Sequence, residues 1–99
     1  PWNFPALLTS RGFAFPLAAG NTVVLKPSEE TPYTGGLFFA EICEAVGLPA
    51  GVFNVVSCSR DNVAAVGDQL IEHPLVKGIS FTGSTAVGRM VAAKAGAHF

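Results

Sequence analysis

An α/β fold built on parallel strands follows from three features of this sequence. Short apolar, β-branched runs recur at residues 22–25, 52–56 and 79–81, each bounded by Gly, Pro or polar residues. Stretches with apolar residues at helical spacing lie before, between and after them. Charged residues make up only 13% of the 99 residues and apolar residues 49%, against about 25% charged in an ordinary soluble domain. Strands covered on both faces by helices read as continuous apolar runs rather than alternating ones. Strands separated by helical stretches imply right-handed βαβ units and a parallel sheet. Three such strands make half of a doubly wound sheet, and a chain this poor in charge is expected to be an incomplete fragment whose apolar surface other parts of a larger protein cover.

The elements follow in order. Residues 6–19 are helical in pattern, although Gly12 and Pro16 both disfavour a helix interior. The strand at 22–25 ends at Lys26-Pro27, where proline removes a ladder donor. Thr31-Pro32 reads as N-cap and first helical residue. Leu37, Phe38, Glu41, Ile42, Ala45 and Val46 continue that helix at a 3.6 period, with Gly47 at its C-cap. The second strand is Val-Phe-Asn-Val-Val at 52–56. Residues 61–72 form the next helix, with Val63, Val66, Leu70 and Ile71 apolar. The strand at 79–81 ends at Thr82-Gly83, and Ser84 or Thr85 opens a last helix through Val87, Met90 and Val91. The expected order is α-β-α-β-α-β-α.

Composition excludes several classes. The longest run free of Asp, Glu, Lys and Arg, residues 45–59, contains Gly47, Pro49 and Gly51; a membrane span needs about 20 apolar residues, so no membrane partner is expected. The six basic residues are scattered and the net charge is −1, which gives nucleic acid no basic stripe to bind. Cys43 and Cys58 form no Cys-x-x-Cys pair and have no His cluster near them, so they read as structural thiols of a reducing, cytoplasmic compartment, and no metal is expected. The chain opens on Pro-Trp-Asn-Phe-Pro rather than on Met, which reads as the interior of a longer protein.

Open parallel sheets bind ligands outside the carboxyl ends of their strands. That rule selects residues 26–29, 57–60 and 82–84. Gly83 would let backbone approach a ligand, the following helix N-terminus attracts phosphate, and Ser84 adds a hydroxyl; on an equal footing stands the reading in which Ser84 or Thr85 only caps the helix. Lys26 and Glu29 can grip a ribose, the carboxylate accepting from hydroxyls and the ammonium donating, or they are solvated loop charge. Asn3, set among aromatic residues and prolines, either satisfies loop backbone or donates to a developing oxyanion. The segment 83–88 is not a Walker loop, and no Gly-x-Gly-x-x-Gly fingerprint occurs.

Four segments taken together resemble the aldehyde dehydrogenase family: Pro1-Trp2-Asn3-Phe4-Pro5, residues 19–32 (Ala-Gly-Asn-Thr-Val-Val-Leu-Lys-Pro-Ser-Glu-Glu-Thr-Pro), residues 47–56 (Gly-Leu-Pro-Ala-Gly-Val-Phe-Asn-Val-Val) and Phe81-Thr82-Gly83-Ser84. Their order and spacing agree over nearly all of the chain. The resemblance implies part of a Rossmann-like NAD-binding domain, with no second domain in residues 1–99. It also implies a chemistry. A cysteine thiolate attacks an aldehyde, the oxyanion is held by Asn3, hydride passes to nicotinamide, and the resulting thioester is hydrolysed with the help of a Glu. Lys26 and Glu29 match residues holding the adenosine ribose. Phe81, Thr82, Gly83 and Ser84 match the pyrophosphate turn. Val87 and Gly67 match residues facing the adenine, and Pro1 and Trp2 match backbone lining the nicotinamide. The parent protein is implied to be a homo-oligomer. Glu29 would repel a 2′-phosphate, which favours NAD, while Lys26 leaves NADP open.

Two departures stand out. Residues 57–62, Ser-Cys-Ser-Arg-Asp-Asn, replace a frequent Gly-x-Gly stretch, and Ser10-Arg11-Gly12 replaces a frequent Trp-Lys pair. Both resemble the branch that oxidises benzaldehyde, vanillin and salicylaldehyde, which suggests an aromatic aldehyde substrate. Cys58 lies on the cofactor side and lacks the pattern around the family's nucleophile. The nucleophilic Cys and the Glu-Leu-Gly-Gly general-base segment are not among these residues, so the 99 residues alone are not expected to turn over aldehyde. The same residues would also suit a non-catalytic nucleotide-binding or structural module. A reductase acting on acyl phosphates or acyl-CoA is a third reading, against which Trp2-Asn3 and Glu29 weigh.

Overall fold

A computed structural model describes all 99 residues, Pro1–Phe99. It is an α/β chain with a two-stranded parallel sheet, and it divides into two compact units, Pro1–Ser57 and Cys58–Phe99.

The first unit opens with α1 (Pro5–Ala18), which has proline in its first turn, where a missing N–H costs nothing. Pro16 lies inside the helix but only two residues from its end, so the break it imposes coincides with termination. Gly20, at φ 89°, turns the chain away, and Asn21 sews the end shut, its side-chain amide and its backbone N–H both donating to the Pro16 carbonyl at 2.9 and 3.0 Å. Strand β1 (Val23–Leu25) pairs in parallel with β2 (Phe53–Val55), in the register Val23↔Phe53, Val24↔Asn54, Leu25↔Val55. Between them run a π-helical turn, Tyr33–Leu37, and α2 (Phe38–Ala45).

Phe13 of α1 joins these layers, its ring meeting Phe39 of α2 at 5.2 Å and Phe53 of β2 at 4.8 Å, both edge-on. Aromatic pairs of this geometry contribute about 0.5–1.5 kcal/mol beyond their buried area. Gly35 and Gly36 are buried beside them. A β-carbon at Gly36 would lie 2.9 Å from Cγ1 of Val55 and 3.0 Å from Cγ of Pro27, so only glycine lets the turn sit this close to β2 and to the loop after β1.

The second unit holds a short 3₁₀ turn, Arg60–Asn62, then α3 (Val63–Glu72) and α4 (Thr85–His98), which pack on each other. Lys94 of α4 pairs with Asp68 and Glu72 of α3. The hydrogen bond that Lys94 donates to Asp68 raises the lysine's pKa above its ordinary value.

Two expectations are corrected. Residues 79–81 form no strand: β1 and β2 pair only with each other, and an extended apolar run becomes a strand only through a ladder. The helix expected without interruption from Thr31-Pro32 begins instead as the π-helical turn, because the glycine pair sits close against Pro27 and Val55. The expectation of uncovered apolar surface is matched: Ile71 is the one large apolar side chain buried, whereas Phe15 and Leu75 are 81% exposed and Val46 76%. No helix is long and apolar enough to cross a membrane.

Candidate functional site

Within the first unit, Pro1, Trp2 and Asn3 form the approach to α1. Phe4, the N-cap residue, has φ −141° and ψ 61°, and Pro5 fixes the next φ, so the chain between Asn3 and α1 is constrained by proline. The Asn3 side chain is exposed, and its amide remains open to a partner from outside the chain. Satisfying loop backbone, the plainer of its two readings, is not what it does here.

Lys26 follows β1 directly. The ladder continues past the strand, with the Val56 N–H donating to the Leu25 carbonyl at 2.9 Å, and this holds the strand end in place. Lys26 Nζ donates to the Pro27 carbonyl at 2.6 Å and stands 3.9 Å from Glu29 Oε2. Both side chains are mostly buried, at 18% and 22% exposure, so they are held groups rather than solvated loop charge. The loop is itself ordered: the Ser28 hydroxyl accepts from the Glu30 N–H at 3.3 Å, and the Thr31 N–H donates to the Ser28 carbonyl at 3.2 Å. An ammonium and a carboxylate at a strand's carboxyl end, one donating and one accepting, match the two functions of a sugar hydroxyl.

In the second unit, Phe81, Thr82, Gly83 and Ser84 lead into α4. The Ser84 hydroxyl accepts from the Val87 N–H at 3.3 Å, and the Ser84 carbonyl receives the Gly88 N–H at 2.9 Å. Ser84 is therefore the N-cap, and the N–H groups of Thr85 and Ala86 remain outside the intrahelical ladder, oriented for an anion. Gly83 also has a part within its own chain. A β-carbon there would come 2.6 Å from Cζ of Phe81, so the glycine makes room for the Phe81 ring of its own chain. Val87 is 40% exposed on the first turn of α4. Gly67 lies in α3 with nothing within 4 Å of where its β-carbon would be.

Pro1, Trp2, Asn3, Lys26 and Glu29 thus lie in the first unit, and Gly67, residues 81–84 and Val87 in the second. Sequence reasoning missed the support beneath the first group: Pro27, Gly35, Gly36 and Thr9, all buried. The adjacent glycines inside a helical pattern were the available signal, since paired glycines mark a close approach of backbone. No cluster of His, Cys, Asp and Glu could hold a metal.

Polar groups gathered at the carboxyl end of a parallel strand, and a capped helix terminus with open N–H groups, define an α/β protein of the ligand-binding class. The chain belongs to the aldehyde dehydrogenase family, whose profile matches residues 1–99. Among curated relatives it is 50% identical over 91 residues to mitochondrial succinate-semialdehyde dehydrogenase of Mus musculus, covering 92% of this chain and 17% of that one. It is 50% identical over all 99 residues to a benzaldehyde dehydrogenase of Bacillus subtilis, covering 20% of it. Among solved structures it superposes on a salicylaldehyde dehydrogenase from Pseudomonas putida G7 in complex with salicylaldehyde, with a TM-score of 0.93 and 44% identity over 99% of this chain and 20% of that one. It superposes on an NAD-dependent benzaldehyde dehydrogenase from Corynebacterium glutamicum with a TM-score of 0.86 and 48% identity, over 96% and 20%. An NADP-dependent enzyme of E. coli gives 0.91 and 47%, over 99% and 20%. The chain therefore spans about a fifth of the length of the proteins it matches.

Proposed function

We propose that the intact protein oxidises an aldehyde to a carboxylic acid with NAD, and that residues 1–99 supply its oxyanion donor and part of its cofactor site. The observation that carries this reading is the open amide of Asn3 ahead of α1, in a chain whose whole length matches the family. Asn3 stabilises the negative charge that develops on the aldehyde oxygen when a thiolate from outside these residues adds to the carbonyl. In this reading Lys26 and Glu29 of the first unit take the adenosine ribose; in the second, residues 81–84 and the open end of α4 take the pyrophosphate, and Gly67 and Val87 face the adenine. Pro1 and Trp2 line the nicotinamide side. When bound, the nicotinamide supplies a hydride acceptor. Glu29 favours NAD over NADP by repelling a 2′-phosphate. The substrate class we propose is an aromatic aldehyde, supported by the departures at residues 10–12 and 57–62 and by the benzaldehyde and salicylaldehyde dehydrogenases among the relatives. The free thiols of Cys43 and Cys58 suit a cytoplasmic setting, and the parent is a homo-oligomer in this reading.

Mixing the intact protein with NAD and either benzaldehyde or succinate semialdehyde, and following NADH absorbance, tests it. Turnover with a higher kcat/KM for benzaldehyde is expected. NAD binding without turnover of any aldehyde would instead favour a non-catalytic nucleotide-binding module.

Gly67 gives a second test. Glycine within a helix costs about 0.5–1 kcal/mol relative to alanine, and nothing in the chain needs the space at Gly67. Gly67→Ala should therefore stabilise the cofactor-free intact protein by up to about 1 kcal/mol, while the added methyl weakens NAD binding about tenfold by crowding the adenine. Thermal unfolding and calorimetric titration read the two effects separately. Unchanged NAD affinity would remove Gly67 from the site.

A further inference from the structure

We propose that Thr9 is a positioning residue: its hydroxyl fixes the Asn3 segment relative to the Lys26–Glu29 loop, an inference that rests on reading these two as the oxyanion and ribose sites. Thr9 lies on α1 and is buried. Its Oγ1 donates to the carbonyl of Gly35, 26 residues further along the chain, at 2.9 Å. Gly35 is the middle of a three-part joint. A β-carbon there would lie 3.5 Å from Cβ of Pro5 and 3.4 Å from Cβ of Pro27. Pro5 is two residues after Asn3, and Pro27 stands between Lys26 and Glu29. Gly36, the next residue, fills the gap between Pro27 and Val55.

Each proposed half-site is thus attached to the glycine pair through a proline, the residue with the stiffest backbone. A movement at the joint passes to both halves. Apolar contacts between prolines and glycines allow sliding, whereas a buried hydrogen bond to a carbonyl is directional and costly to lose. The Thr9 hydroxyl is the group that supplies direction here. Thr31 makes the contrast within the same joint: its hydroxyl is buried, 3.7 Å from the Gly35 β-carbon position, and has no hydrogen-bond partner. Thr31 binds Gly35 through its backbone alone, its carbonyl accepting the Gly35 N–H at 2.9 Å within the same turn, so it is the Thr9 side chain that ties this turn to α1. Small misplacements of reacting groups far from the chemistry can cost about 10²-fold in rate, so the bond has consequences for catalysis as well as for folding.

The test compares Thr9→Val, Thr9→Ser and Thr31→Val in the intact protein. Thr9→Val keeps the shape and removes the donor; it should weaken NAD binding about tenfold and lower kcat about tenfold, with KM for the aldehyde unchanged. Thr9→Ser keeps the donor and should stay within about twofold of wild type in both. Thr31→Val removes an unpartnered hydroxyl and should match wild type. If Thr9→Val does not fold, Thr9→Ala serves in its place: it removes the same donor without adding bulk and should show the same two losses. Thr9→Val or Thr9→Ala equal to wild type, or Thr9→Ser as damaged as either, would overturn the positioning role. A wild-type protein that forms no NADH from any aldehyde overturns the functional reading and this one with it; an active wild type with an unaffected Thr9→Val overturns this one alone.

Discussion

Asn3→Ala in the intact protein should lower kcat for aldehyde oxidation by about 10²-fold or more, with NAD affinity largely kept. Negative charge on the aldehyde oxygen grows as the thiolate adds, and a preoriented N–H donor meets it without the reorganisation that water would need. Three features suit Asn3 to this. Its amide is not engaged by loop backbone, so both donors are available. The chain after it is constrained by Pro5 at the start of α1. The side chain is exposed on the chain's surface, where a substrate from outside can reach it. A donor that acts only on the developing charge contributes little to ground-state binding, so the loss should fall on kcat and not on KM for NAD. Asn3→Asp, which places a second negative charge near the oxyanion, should be at least as slow. Steady-state rates with calorimetric NAD titration decide the matter; an unchanged kcat in Asn3→Ala would exclude the oxyanion role.

What could be read from the sequence was what local chemistry determines. Lys26-Pro27 set the end of β1, and a hydroxyl at 84 or 85 was expected to open α4, where Ser84 is the cap, each through a proline's missing N–H or a hydroxyl's reach to a nearby donor. What could not be read depended on partners distant in sequence. Residues 79–81 have the composition of a strand, but no strand pairs with them, and composition carries no information about the neighbour. The 3.6 period through residues 37–46 was correct for α2, yet the turn before it widened to the π form where Gly35 and Gly36 meet Pro27 and Val55. That contact is visible only once β2 is paired to β1. The same limit applied to the candidate site. Lys26, Glu29, Asn3 and Ser84 stood out by residue type and position after a strand or before a helix, but each beside a plainer reading that only the family resemblance displaced. Thr9 did not, because an apolar-flanked threonine inside a helix looks like any other until its carbonyl partner is known. That Gly83 also makes room for the Phe81 ring was likewise out of reach of the sequence.

Glu29→Gln should shift cofactor preference from NAD toward NADP, through two separable losses. First, a carboxylate accepting from ribose hydroxyls makes hydrogen bonds worth about 1.5–3 kcal/mol, so the neutral amide should weaken NAD by roughly tenfold or more. Second, the carboxylate's repulsion of a 2′-phosphate disappears; two like charges about 4 Å apart near a protein surface interact by about 4 kcal/mol, which bounds the discrimination that Glu29 can impose. NADP affinity should therefore rise while NAD affinity falls, and the ratio of the two should move by about 10². Lys26 sharpens the effect, because its ammonium sits 3.9 Å from Glu29 and, once that charge is gone, faces the phosphate alone. Lys26 keeps its bond to the Pro27 carbonyl in the variant. The measurement is kcat/KM with each cofactor, beside thermal unfolding of the cofactor-free protein. A fall in NAD affinity with no gain for NADP would leave Glu29 as a ribose acceptor and assign the cofactor choice to another group; an unchanged ratio with unchanged affinities would take ribose recognition off this loop altogether.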